Sequence, residues 1–220
     1  MGSGPLNYTA GGFCGRTVDG TAFYDESDLR ELAAAGHEIA CHGFAHQPKP
    51  SLTDAELVAD AARNREFLMP FLQCHGLASY AYPYGKASLR TKALLAPRFS
   101  SLRGVHPGLN AGRVDLAQLN TISLETRCWN AAKIEPAIQR AVQLRAWLVF
   151  YTHDVSESPS EYGLTPAMLD WALKKVAAPW NGNCPASMTP SGRKTIPCSS
   201  TPRLRFRCRI RAGTIWPKAI

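Results

Sequence analysis

Apolar and polar positions along this chain switch repeatedly between a period near 3.6 and a period near 2, so helix-like and strand-like segments alternate. Leu29-Arg30-Glu31-Leu32-Ala33-Ala34-Ala35 is strongly helix-forming, and Gly36 is placed to end it in a left-handed turn. Asp25, with Asp28 three residues on, starts that helix at about Glu26. The next stretch, Gly36 to Cys41, alternates as a half-buried strand does, with His37, Ile39 and Cys41 on one face. His42 and His46 then fall in the turn beyond it.

A second helix is announced by Thr53 and Glu56, a capping box. Its apolar positions Leu57, Val58, Ala61, Ala62, Phe67 and Leu68 predict the core-facing stripe, and Pro70 kinks or ends it. Tyr8 to Phe13 reads as a strand ending in a glycine-rich turn, Ser79 to Gly85 as a strand that stops at its proline and glycine, and Phe99 to Val105 and Leu119 to Leu124 as further strands, with Pro107-Gly108-Leu109-Asn110 a turn. Helices are predicted over Ala87 to Leu95 and Ala132 to Arg145. The continuous run Trp147 to Thr152 predicts a fully buried parallel strand that delivers His153 and Asp154 at its carboxyl end. Thr165 and Pro166 open a last helix, which ends near Ala178.

Strands alternating with helices imply parallel strands with helical crossovers, hence an α/β barrel or an open α/β sheet. In both, ligands gather at the carboxyl ends of the strands, which is where this reading puts His42, His46, Tyr84, His153 and Asp154.

Composition adds limits. The 220 residues suffice for one domain, and the formal charge of +8 suggests nucleic acid until it is located. Eight of the 25 basic residues lie after position 178 with no acid among them, which leaves 17 basic against 17 acidic residues in the rest. A neutral body argues against a nucleic-acid footprint, except non-specific contact through the Arg-rich tail. The division expected is therefore a domain over 6–178 and a disordered basic tail over 179–220. The seven cysteines form no Cys-x-x-Cys pair, so neither a zinc ribbon nor a disulfide framework is indicated. No apolar run is long enough to span a bilayer. Met1 to Pro5 lacks the basic start and apolar core of a signal peptide, which favours a cytoplasmic location.

Neutral imidazole is the commonest protein ligand for zinc-like ions, and His42 and His46 are spaced for it. Two histidines leave such an ion short of ligands. His75 reads as a helix-end residue, His106 as a turn residue, and His37 as lying on the strand's inner or second-shell face.

Three ordered motifs, Gly36 to His46, Ala81-Tyr82-Pro83-Tyr84-Gly85 and Phe150-Tyr151-Thr152-His153, resemble those of the polysaccharide deacetylases of carbohydrate esterase family 4. The resemblance covers about residues 6 to 178 and implies a distorted (β/α) barrel, incomplete here at its first and last strands. It implies hydrolysis of acetyl groups from a carbohydrate or a small acylated substrate, by a divalent metal, zinc for preference. His42 and His46 would hold that metal, the Tyr84 backbone N–H would stabilise the oxyanion, and His153 would protonate the leaving amine.

The departures are as informative. The family's aspartate-bearing first motif, which supplies base and third metal ligand, has no counterpart. Ala81 stands where the family has an arginine, Gly43 where it has Ser or Thr, and Tyr151 where a leucine lines the acetate pocket. Asp25, Asp28 and Asp154 are conceivable substitute ligands, although helix capping explains the first two better. The alternative expectation is a catalytically inactive binding module or an incomplete gene product.

Overall fold

Six strands pair side by side, all parallel, in their chain order, with one small antiparallel hairpin set apart. The computed structural model describes residues 6–18, 21–47, 52–72 and 76–178. Strand β1 is Leu6–Thr9, the hairpin is β2 (Thr17–Val18) and β3 (Thr21–Ala22), and the sheet continues with β4 (Glu38–Cys41), β5 (Ser79–Ala81), β6 (Ser101–Pro107), β7 (Leu119–Ser123) and β8 (Phe150–Tyr151). Helices α1 (Glu26–Ala34), α2 (Asp54–Leu68), α3 (Leu89–Leu95) and α4 (Ala131–Leu144) make crossovers, and α5 (Pro166–Ala177) follows β8. Among the described residues, β6 and β7 are the neighbouring strands of the six-stranded sheet that are joined without a helix.

Local chemistry sets the helix ends. Asp25 and Asp28 form a reciprocal capping box on α1, as do Thr53 and Glu56 on α2. Gly36, at φ +79°, turns the chain from α1 into β4. Pro166 occupies the start of α5 behind the Thr165 cap.

The sheet faces are divided by the pleat. Ile39, Cys41, Tyr80 and Leu102 pack outward with Leu29, Leu57 and Leu68 in one buried cluster under α1 to α3. A second cluster, Leu124, Ile134, Ile138, Leu164 and Ala172, lies under α4 and α5. The opposite face is concave. Tyr8 of β1 and Tyr151 of β8 lie with ring centres 4.5 and 5.3 Å from the Arg103 guanidinium of β6. In a flat sheet the first and sixth strands would be about 24 Å apart. The sheet is thus curled into an incomplete, distorted (β/α) barrel; among the described residues no strand closes it between β1 and β8.

Three expectations need correction. The first strand stops at Thr9, because Gly11–Phe13 forms a 3-10 turn in which the Gly12 N–H donates to the Phe44 carbonyl. The run Trp147 to Thr152 is neither fully buried nor all strand: only Phe150 and Tyr151 pair with β7, both half-buried, and Trp147 is 45% exposed. Leu148 and Phe150 of this run pack, half-buried, against the second cluster on the last strand of the sheet. On α2, Ala62 is exposed and Asn64 takes the core position. The readings of His75 and the tail lie outside the described residues. Among the described residues no helix is long and apolar enough to cross a membrane.

Candidate functional site

The pleat that sends Cys41 outward sends Ala40 and His42 inward. The His42 N–H donates to the Thr9 carbonyl at 3.1 Å, extending the β1–β4 ladder by one step. Its ring Nδ1 lies 2.8 Å from the Ala81 carbonyl. A carbonyl can only accept, so Nδ1 carries the proton and Nε2 presents a lone pair. That Nε2 is 3.1 Å from Nε2 of His46. Two imidazole nitrogens on one tetrahedral ion, each bonded at about 2.0–2.1 Å, stand about 3.3 Å apart. The pair fits two corners of such an ion. Burial, reinforced by His46 and Arg103, holds His42 well below the ordinary histidine pKa, so it is the neutral form that faces the site.

The turn carrying both rings is held by α2. Asp60 accepts hydrogen bonds from the N–H groups of Phe44 (3.0 Å) and Ala45 (2.9 Å). Gly43 makes the turn at φ +73°, and a Cβ there would stand 2.5 Å from Asp60 Oδ2. This is why glycine replaces the Ser or Thr of the resemblance. Gly43→Ala is expected to cost about 2 kcal/mol in unfolding free energy measured by urea titration, from the left-handed backbone and the lost Asp60 bonds.

Tyr84 follows β5 in a 3-10 turn, Pro83–Gly85, with φ +56°, and His46 has φ +51°. Two non-glycine residues in the left-handed region are thus in ring contact, centroids 4.7 Å apart. Strain of this kind persists where the surroundings dictate the conformation, and it collects at functional sites.

His153 emerges just past β8. Its Nδ1 lies 3.3 Å from Glu125 Oε1 and 3.3 Å from the Tyr162 carbonyl, and the rings of Tyr151 and Tyr162 flank it. Glu125, only 1% exposed, stands just past β7 and also receives Arg127 at 3.0 Å through Nε and 2.9 Å through Nη2. Burial raises its pKa, but the hydrogen bonds from His153, Ser123 and Arg127 and the Arg127 charge outweigh burial, and the carboxyl is held below its usual value. Sequence reasoning missed Glu125. The signal available was a carboxylate next to the end of a predicted strand, followed two residues later by an arginine.

The structure therefore brings His42, His46 and Tyr84 into contact, and sets His153 near enough for its charge to act on His42. It does not bring in the conceivable third ligands. Asp25 and Asp28 cap α1. Asp154 is buried in its own loop, accepting from the Ser160 N–H at 2.7 Å and from the Ser160 hydroxyl. His37 precedes β4, and no contact among the described residues joins it to the site. Among the described residues no group of three His, Cys, Asp or Glu side chains could hold a metal ion. The donor set present is two imidazoles.

Beside His46 opens a cleft of about 310 Å³ lined by Gly12, Phe13, Arg16, Phe44, Ala45, Gln47 and Arg63. Phe13 reaches the His46 ring at 5.6 Å, and Arg63 lies over the Phe44 ring at 3.8 Å.

Residues 10–97 match the family model described as polysaccharide deacetylase. No curated protein matches the chain by sequence. Among solved structures it is similar to IcaB from Ammonifex degensii, at 23% identity over 46% of this chain and 49% of that one, TM-score 0.42. It is similar to the Streptococcus pyogenes deacetylase PplD, at 17% identity over 53% and 51%, TM-score 0.48. A third, from Mycobacterium smegmatis and assigned to the polysaccharide deacetylases, shows 21% identity over 73% and 66%, TM-score 0.47. The chain spans about half the length of the first two.

Proposed function

We propose, from the premise that residues 10–97 belong to the polysaccharide deacetylase family, that this chain acts as a metal-dependent hydrolase removing acetyl or similar acyl groups from a carbohydrate-like amide or ester. The observation that carries the proposal is the His42–His46 pair, its Nε2 atoms 3.1 Å apart and the His42 tautomer set by the Ala81 carbonyl. His42 and His46 would hold a divalent ion, zinc for preference, and the chemistry it would supply there is Lewis-acid polarisation of the acyl carbonyl and activation of water.

The chain's own residues do the rest. His42 and His46 offer two neutral nitrogens to the ion. Glu125 orients the His153 ring through Nδ1, which leaves Nε2 to deliver a proton to the leaving amine. Tyr84 offers its backbone N–H to the developing oxyanion. Phe13 and Phe44 give the cleft apolar faces for a sugar ring, with Arg16, Gln47 and Arg63 as polar contacts. The acting unit is 6–178, with 179–220 as a basic tail.

A second reading, an inactive binding module, is favoured by the lack of a third donor side chain among the described residues. Titration of the purified chain with zinc and cobalt separates the two. One equivalent is expected to bind, and His42→Ala and His46→Ala should each weaken it by more than the ~10–100-fold that follows loss of an outer partner. Binding no tighter than that of the variants supports the inactive module.

A further inference from the structure

Arg103 is the interior charge that the proposed reaction leaves unused. Leu102 packs outward in the helix-side cluster, so its neighbour Arg103 points into the curl of the sheet. There its guanidinium lies against the rings of Tyr8 and Tyr151. Its position in β6 pairs in register with Ala81, whose carbonyl orients His42.

The guanidinium is incompletely satisfied. The Tyr8 side chain hydrogen-bonds it and Nη1 reaches the Gly104 carbonyl at a long 3.4 Å, but its Nε is shielded from solvent and has no hydrogen-bond partner among the described residues. No carboxylate among the described residues is within ion-pairing range of it. The nearest interior acid, Glu125, is already engaged by Arg127 and His153. Aromatic faces attract a cation, but they and the Tyr8 hydrogen bond leave the Nε edge of the fork open. A partly buried cation with an open edge gains from an anion that completes it, and a planar guanidinium matches a carboxylate with two parallel bonds. Because Arg103 pairs in register with the residue whose carbonyl holds His42, an anion seated on it would lie on the strand next to the histidine pair.

We propose that Arg103 is a carboxylate-binding residue of this site and that the ligand it selects carries a small carboxylate, either the acid released from the acyl group or a carboxyl group borne by an acidic sugar. The proposal rests on the hydrolase reading only for the site's location; the anion subsite is built without the metal. It adds to that reading an acidic ligand class that the neutral body charge does not suggest.

The test is calorimetric titration of the full chain, with a chelator present, using acetate and glucuronate as probes and acetamide and glucose as their uncharged counterparts. Saturable binding of at least one carboxylate at one per chain is expected, with no binding of the uncharged pair. Arg103→Met should abolish it, and Arg103→Lys, which keeps the charge but not the fork, should weaken it about 10-fold or more. Acetate alone binding identifies the released acid, and glucuronate binding identifies an acidic sugar. Circular dichroism melts run alongside, and if Arg103→Met does not fold, the Lys variant decides. Absence of saturable carboxylate binding to folded wild type overturns the proposal, and so does unchanged affinity in Arg103→Lys. Because the chelator removes metal, failure here is separate from failure of the zinc titration.

Discussion

Glu125→Gln should lower deacylation of any substrate the chain turns over by on the order of 10³-fold, since an imidazole that loses its orienting carboxylate loses both its tautomer and its direction. The same change removes a charged acceptor shared by Arg127 and His153, at 2.9 and 3.3 Å. Arg127 is nearly half exposed and can turn to water, so the structural cost is about 2 kcal/mol, below that of breaking a fully buried pair. A chain of this size should then melt roughly 4–8 °C lower. The pH dependence has a definite sign. The folded-state pKa of Glu125 lies below its ordinary value, so its contribution is present above the ordinary carboxylate pKa, about 4.3, and is lost as pH falls through the folded value. The stability gap between wild type and Glu125→Gln should be constant near neutrality and shrink in acid. A gap that widens in acid would overturn the assignment, as would an unchanged melting temperature.

Asn64→Ala should be the most damaging single change to stability, by about 3–4 kcal/mol in a urea titration. Asn64 sits with no exposed surface on the inner side of α2. Its Oδ1 accepts from the Gly11 N–H at 2.8 Å, and its Nδ2 donates to the Thr9 carbonyl at 2.7 Å and to Cys41 Sγ at 3.2 Å. Alanine leaves the buried Gly11 N–H without a partner, opens a cavity, and strips the Thr9 carbonyl of one of its two donors, the other being the His42 N–H. Asn64→Asp tests the same point differently: it can still accept from Gly11 but faces the Thr9 carbonyl with an oxygen. Both variants should therefore lose stability, whereas a solvent-facing asparagine would tolerate either within about 0.5 kcal/mol.

The contrast between Asn64 and His42 shows what could be read from the sequence. Gly36, the Thr53–Glu56 box and Pro166 act through neighbours a few residues away, so their effects were legible, and with them the order of helices and strands. The place of His42 and His46 followed from the end of one alternating run. Asn64, Glu125 and Arg103 were not legible, because each acquires its meaning from residues on other elements: Thr9 and Gly11 for Asn64, His153 for Glu125, Tyr8 and Tyr151 for Arg103. On helical spacing alone, Ala62 looked apolar enough for the core and Asn64 did not, yet hydrogen-bond demand from β1 decided the matter. The run Trp147 to Thr152 misled for a related reason. An apolar run states that surface will be covered, but not whether a neighbouring strand or the rim of the sheet will cover it.

The curl held at Arg103 also bears on the order of assembly. Each strand of the sheet pairs with its neighbour in the chain, so pairing closes only the loop that holds the intervening crossover. The meeting of Tyr8, Arg103 and Tyr151 instead joins the two ends of the sheet, and it spans more of the chain than any strand pairing. Loop-closure entropy makes such a contact the last to become favourable. The strands can therefore all be paired before the concave face exists, and a chain with its full complement of secondary structure can still lack the enclosure in which its histidines work.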